Sequence, residues 1–429
     1  MSELRERDEK YVWHPFTQVK TAAPPLEIIR AEGASLIAAD GKRYLDVNSS
    51  WWVNVHGHGK KEIGDAIRRQ FDDLDHVIFA DVTHPAASEL AENVVKLLGK
   101  PMSKVFFSDN GSTAVEVALK MAIQYWHNAG TPKKQILALD GAYHGDTFGA
   151  MAVGQRGFFN VPFESFFFHV DFLEFPDGDN DRKILEKAQQ LFALGECAAL
   201  IVEPLIQGSA GMRIYSVDFL ERLVALARQH DVLVIFDEVM TGWCRTGKLF
   251  AFQHTDAVSD LVCLSKGLTG GVLPLGLTVV TESIFSRFLS DEKVQAFLHG
   301  HSFTGNALAC AAANASISLF KDPSTKENID RLTRRHQAFV EMLKTFEAVQ
   351  NPRSFGTILA FELRTTDASG YFAQVRDRVY LYMLERGVLL RPLGNTIYLN
   401  PPYCITDKEL DRVYDALRSF ISSELVNNI

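Results

Sequence analysis

Between about residues 60 and 310 of this 429-residue chain, short apolar runs alternate with segments whose apolar positions recur at helical spacing. The runs Lys104–Phe107, Gln135–Asp140, Ala198–Glu203, Leu233–Asp237 and Leu261–Leu264 read as strands. Ser112–His127 and Val217–Gln229 read as helices, the first carrying Val115, Ala118, Ala122 and Tyr125 on one face. Strands and helices in alternation predict an α/β fold with a largely parallel sheet. After Asn328, amphipathic stretches (Ile329–Phe346, Tyr371–Glu385) mix with the strands Ile358–Leu363 and Thr396–Leu399, which predicts a second, α+β unit. The first sixty residues hold only strand-like pieces around Gly41 and are expected to join that second unit. The expected organisation is residues 1–60 as the N-terminal part of a small domain, 61–310 as a large domain and 311–429 as the rest of the small domain.

Composition narrows the function. The chain is 47% apolar and 23% charged, ordinary for a soluble protein. A net charge of −9 argues against an electrostatic grip on nucleic acid or an acidic membrane surface. The five cysteines (197, 244, 263, 310 and 404) are scattered without a C-x-x-C pair, which favours reduced thiols in the cytoplasm over disulfides or a metal site. The first ten residues lack the apolar core of a signal peptide. The stretch between Lys293 and Lys321 carries no formal charge, yet Gln295, His299, His301, Asn306 and Asn314 make it too polar to span a bilayer. A loop leading into a buried alanine-rich helix accounts for it better.

The chemistry concentrates at strand ends. Asp237 closes the run Val232–Phe236, and Lys266 closes the run Leu261–Ser265. Open α/β sheets hold ligands at the C-terminal lips of their strands. A lysine there can condense with an aldehyde cofactor, and an aspartate can hold a protonated pyridine nitrogen; pyridoxal phosphate (PLP) chemistry requires both. Taken singly, a strand-end aspartate or lysine is more often a solvated or capping group. Gly111-Ser112-Thr113 lies between a strand and a helix, where Gly111 allows close backbone approach and the helix N-terminus favours a phosphate; the plain alternative is an N-cap. Tyr143, in Gly141–Thr147, follows another strand and could stack on an aromatic ring. Glu203 ends a strand and could sit near the substrate. The glycine-rich loop Gly242–Lys248 lacks the spacing of a P-loop, which excludes an ATPase reading.

The run Ile235–Gly242, then Arg245-Thr246-Gly247, then Ser265-Lys266-Gly267, resembles the signature of the class III PLP-dependent aminotransferases, and the likeness extends over nearly the whole chain. The resemblance implies a fold-type I PLP-dependent transferase, a homodimer with active sites at its interface. It implies Lys266, Asp237 and Tyr143 as catalytic residues. Gly111, Ser112 and Ser302 would join them in holding PLP. The family's Phe-Gly pair in the signature loop is Trp243-Cys244 here, which puts the local loop shape in question. Segments around Trp13–Thr17, Ser49–Trp52, His144–Met151, His299–Phe303 and Leu390–Gly394 resemble one branch of the family, whose substrate has a long aliphatic chain and a distant carboxylate. Trp51, Trp52 and Phe16 would line that chain, Arg391 would meet the carboxylate, and Gly300 would touch the substrate. That branch takes its amino group from adenosylmethionine. Phe16 stands where it has tyrosine, so one hydroxyl is missing and lysine becomes an alternative donor. Ser302 replaces a threonine and keeps the hydroxyl. The same Lys–Asp pair also serves ω-amino acid aminotransferases, aminomutases and racemases. A non-enzymatic PLP-fold binding protein is disfavoured by the intact pair.

Overall fold

A computed structural model of the chain describes residues 2–365 and 374–423. At its centre lie seven strands in the spatial order Met102–Ser108, Gly276–Thr281, Leu261–Leu264, Leu233–Asp237, Cys197–Val202, Gln135–Leu139 and Val170–Leu173. Gly276–Thr281 runs antiparallel to both its neighbours, and the remaining pairs are parallel. All five expected strands are present, and Leu233–Asp237 and Leu261–Leu264 keep the predicted bounds. Two strands of this sheet escaped the sequence reading. Val170–Leu173 is short and interrupted by Asp171, while the apolar run of Gly276–Thr281 merges with the preceding loop Val272–Leu275.

Alternation along the strands divides the core in two. Leu200, Val202, Val234 and Phe236 share a cluster with Ile184 and Leu185 of the helix Asp181–Ala193 and with Phe219 and Leu223 of Val217–Gln229. Ala199, Ile201, Leu233, Ile235 and Cys263 cluster instead with Val115, Ala118 and Ala122 of the helix Gly111–Asn128. That helix starts at a reciprocal cap: Asn110 Oδ1 accepts the Thr113 N–H at 3.0 Å, and Thr113 Oγ1 accepts the Asn110 N–H at 3.1 Å.

A four-stranded sheet joins the two ends of the chain. Ile28–Glu32, Ser35–Ala38 and Arg43–Asp46 are antiparallel, and Val388–Leu389 pairs parallel with Leu45 and Asp46. Val349–Phe355, Ile358–Leu363 and Thr396–Leu399 form a three-stranded antiparallel sheet. The helix expected from Ile329 begins earlier, at Pro323, where proline costs no hydrogen bond and Asp322 caps the first turn; it ends at Leu343. The helix expected from Tyr371 is described from Gln374, and residues 371–373 lie outside the described residues. The uncharged stretch contains the helix Ala307–Phe320, with Ala309, Cys310, Ala313 and Ile317 buried. Among the described residues no helix is long and apolar enough to cross a membrane.

In the signature loop the chain turns through Trp243 (φ 61°) and Cys244 (φ 72°). The left-handed backbone at Cys244 is the conformation that favours glycine, so the loop keeps its path with a cysteine. Trp243 is fully buried against Phe250 and Phe320, with ring centroids 5.4 and 5.7 Å away.

Candidate active site

At the C-terminal ends of the parallel strands a cavity of about 470 Å³ opens, lined by Lys266, Asp237, Glu203, Tyr143, Gly111, Ser112, Trp51, Trp52 and Phe16 among others. The two strands carrying Asp237 and Lys266 are parallel neighbours, with Asp237 in register with Cys263. The side chains that follow each apolar run therefore emerge at one lip. Lys266 has a left-handed φ of 49° and opens the short 3₁₀ turn Lys266–Thr269. Its Nζ lies 4.6 Å over the ring of Trp52. Burial lowers its pKa to about 8, against the opposing pull of Asp237 and Glu203.

Asp237 is buried. Its Oδ1 accepts the Val239 N–H at 3.0 Å, and its Oδ2 meets His144 Nδ1 at 2.6 Å. His144 is itself buried, with no hydrogen-bond partner for Nε2. Sequence reading assigned His144 no role. Its position next to Tyr143, in a loop that follows a strand, was the available signal. Glu203 accepts N–H groups from Tyr143 at 3.1 Å and Gly208 at 2.9 Å, and burial raises its carboxyl pKa to about 7. It thus braces two cavity loops. The Tyr143 hydroxyl donates to Asp146 at 3.0 Å, and burial raises its pKa.

The N-terminus of Gly111–Asn128 also faces the cavity. Ser112 Oγ accepts the Asp146 N–H at 3.2 Å. Thr113, a second hydroxyl expected to face a phosphate, is engaged in the helix cap and with Asp109. Gly145 has a φ of 132°, and a Cβ on it would collide with Ser112, whose Cα would lie 2.8 Å away. A cavity with a depressed lysine, a buried acid braced by histidine, an aromatic wall and a helix N-terminus kept open by a glycine fits PLP. Gly145→Ala is expected to displace Ser112 and raise the PLP dissociation constant at least about tenfold, or 1.4 kcal/mol; fluorescence titration of the apoenzyme measures it.

On the far wall Trp52 is buried and its Nε1 donates to the Tyr398 hydroxyl at 3.0 Å. Trp51 is half-exposed, with Phe16 at 5.2 Å between ring centroids and the Arg391 guanidinium 5.6 Å over its ring. Arg391 is therefore brought to the rim of the aromatic wall. Gly300 and Ser302 are exposed and do not line the cavity of their own chain. Among the described residues no cluster of three or more His, Cys, Asp or Glu side chains could hold a metal ion.

The fold and this site define a PLP-dependent aminotransferase, and the chain belongs to the class-III aminotransferase family, whose model matches residues 16–421. It is 48% identical over 419 residues to an adenosylmethionine-8-amino-7-oxononanoate aminotransferase of Synechococcus elongatus, covering 96% of this chain and 98% of that one. It is 38% identical to the enzyme of the same name from Geobacter sulfurreducens, covering 97% of each chain. Among solved structures, the adenosylmethionine-8-amino-7-oxononanoate aminotransferase of Methanocaldococcus jannaschii superposes with a TM-score of 0.92 at 35% identity, covering 97% of this chain and 98% of that one. A PLP-bound amine transaminase from an uncultivated Pseudomonas species superposes with a TM-score of 0.89 at 29% identity, covering 96% and 98%.

Proposed function

We propose that this enzyme transfers an amino group to 8-amino-7-oxononanoate, giving 7,8-diaminononanoate for biotin, with adenosylmethionine as donor. The observation that carries this reading is the pairing of Trp51 with Arg391: an aromatic wall for an aliphatic chain, with a guanidinium 5.6 Å from the centre of the Trp51 ring for the carboxylate. The names of the relatives agree with it. PLP, when bound, supplies an aldehyde carbon that takes up the amino group and a ring that accepts the electrons released at Cα. Lys266 would hold the cofactor through its amine. Burial shifts the Lys266 amine toward its neutral form, the form in which Nζ would take the proton from Cα and return it. Asp237 would hold a proton on the pyridine nitrogen, and His144, 2.6 Å from Oδ2, keeps its carboxylate in place. Tyr143 would stack on the ring, while Ser112 and the N–H groups at Gly111 would hold the phosphate.

Gly300 and Ser302, both exposed, fit the reading through a homodimer in which this segment of one copy reaches the other copy's cavity. The protein would work in the cytoplasm. Phe16 bears on the donor, because a phenyl ring beside Trp51 offers no hydroxyl to a polar amine; lysine is the alternative. Mixing the holoenzyme with each donor in turn, while following the cofactor's visible absorbance, separates these donors from ω-amino acids.

Arg391→Ala tests the substrate. The KM for 8-amino-7-oxononanoate should rise about 10- to 100-fold, the loss of a charge-assisted contact of about 1.5–3 kcal/mol, while PLP affinity stays unchanged. Steady-state kinetics with equal KM values for variant and parent would move the carboxylate site elsewhere.

A further inference from the structure

Behind the tryptophan wall lies a buried polar network with no part in the chemistry above. Asp46, at the end of the strand Arg43–Asp46, is 1% exposed. Its Oδ2 accepts the Ser50 N–H at 2.7 Å and meets His58 Nε2 at 2.9 Å, and its Oδ1 accepts the Asn48 N–H at 3.3 Å. The other ring nitrogen of His58 is 3.0 Å from the side-chain oxygen of Asn54 when that amide is turned to satisfy its neighbours. In that orientation the Asn54 amide nitrogen donates to the carbonyls of Gly57 at 3.1 Å and Gly270 at 3.2 Å. Gly270 caps the 3₁₀ turn that Lys266 opens. One continuous chain of contacts therefore runs from the lysine's turn through Asn54, His58 and Asp46 to the turn that presents the tryptophans.

That turn cannot hold itself. Ser49, Ser50 and Trp52 have φ values of 49°, 59° and 66°, in the left-handed region that non-glycine residues avoid. Trp51 sits between them at φ −118°, ψ 59°. Such a backbone persists only where its surroundings over-determine it. Besides Asp46, the restraints include Trp52 Nε1 donating to the Tyr398 hydroxyl, Ser49 Oγ donating to the Asn400 carbonyl at 2.8 Å, and Asn48, whose Oδ1 accepts the Arg391 N–H at 2.8 Å. Asn48 thereby ties the tryptophan turn to the backbone of the arginine at the rim.

We infer that Asp46 and His58 are positioning residues for the long-chain keto acid: the dyad holds the strained Ser49–Trp52 turn so that Trp51 and Trp52 stand as a preformed wall in register with Lys266. This rests on the reading of Trp51 as substrate wall. Preorganisation of this kind shows in substrate affinity, because a relaxed turn must be re-ordered at each binding event.

The test uses holoenzyme carrying Asp46→Asn, His58→Leu, His58→Gln, Trp51→Ala, and the Asp46→Asn/Trp51→Ala double change. Binding of 8-amino-7-oxononanoate is measured by calorimetry beside steady-state kinetics, PLP affinity and tryptophan emission. Asp46→Asn and His58→Leu are each expected to weaken keto-acid binding and raise its KM about tenfold, with kcat and PLP affinity within about threefold and the emission shifted. His58→Gln, which keeps an N–H donor toward Asp46, should recover most of the loss. If the dyad acts through the wall, Asp46→Asn costs less binding in the Trp51→Ala background than on its own. Unchanged binding in folded Asp46→Asn beside an impaired Trp51→Ala overturns the dyad's role alone. A silent Trp51→Ala overturns the wall and the inference with it. Parallel losses of kcat and PLP affinity would reduce the dyad to general packing. Should Asp46→Asn fail to fold, the contrast between His58→Leu and His58→Gln decides the same question.

Discussion

Lys266→Ala is expected to abolish transamination, lowering kcat by at least about 10³-fold, because the variant loses both the anchoring amine and the base that moves the Cα proton. The side chain ends in a cavity, its Nζ against the face of Trp52. Truncation therefore removes a desolvated amine without opening a hole in the clusters that hold the sheet. Stability should fall only by the cofactor's contribution, since a ligand bound to the native state alone stabilises it in proportion to the logarithm of its concentration over Kd. Three measurements check this together: turnover, the visible absorbance of lysine-linked PLP, and the melting temperature with and without PLP. Undiminished turnover would remove Lys266 from the mechanism.

Asp237→Asn is expected to slow the chemical step by about 10²–10³-fold, the scale seen when one preorganised electrostatic partner is removed. An amide is nearly the same size as the acid, so the contacts to Val239 and His144 can survive as hydrogen bonds. It carries no charge, however, and cannot keep a proton on the pyridine nitrogen. The effect should appear in kcat for both half-reactions, with KM for the keto acid little changed. A kcat close to that of the parent would make Asp237 an ordinary strand-end acid. A variant that loses PLP altogether would assign the residue to cofactor retention instead.

The sheet and the two strand-end residues were legible in the chain because their causes are local. Uninterrupted apolar runs such as Leu233–Phe236 bury on both faces, so the first polar residue after each must stand at the strand's end. That reasoning places Asp237 at the end of its strand, and Ser265 with Lys266 next to it just past the other, without knowledge of any partner. It fails for Gly276–Thr281, whose run has no polar boundary on its leading side, and for Pro323–Leu343, whose first turn is polar. The glycine-to-cysteine difference at residue 244 could not be judged from sequence; the structure keeps the left-handed turn and buries Trp243 within it.

What only the tertiary structure decided is which side chains meet. His144 finds Asp237 across 93 residues, Trp52 finds Tyr398 across 346, and Asn48 finds the backbone of Arg391 across 343. Periodicity says which face of an element is buried, and nothing about which buried polar atom will satisfy another, because that depends on how separate elements pack. Gly300 and Ser302 show the same limit, standing outside the cavity of their own chain. The sequence by itself determined that an aspartate and a lysine stand just past two buried strands, a local consequence of hydrophobic patterning. The shape of the tryptophan wall was decided only by the packing of the two chain ends, because a turn as strained as Ser49–Trp52 exists only where distant residues hold it.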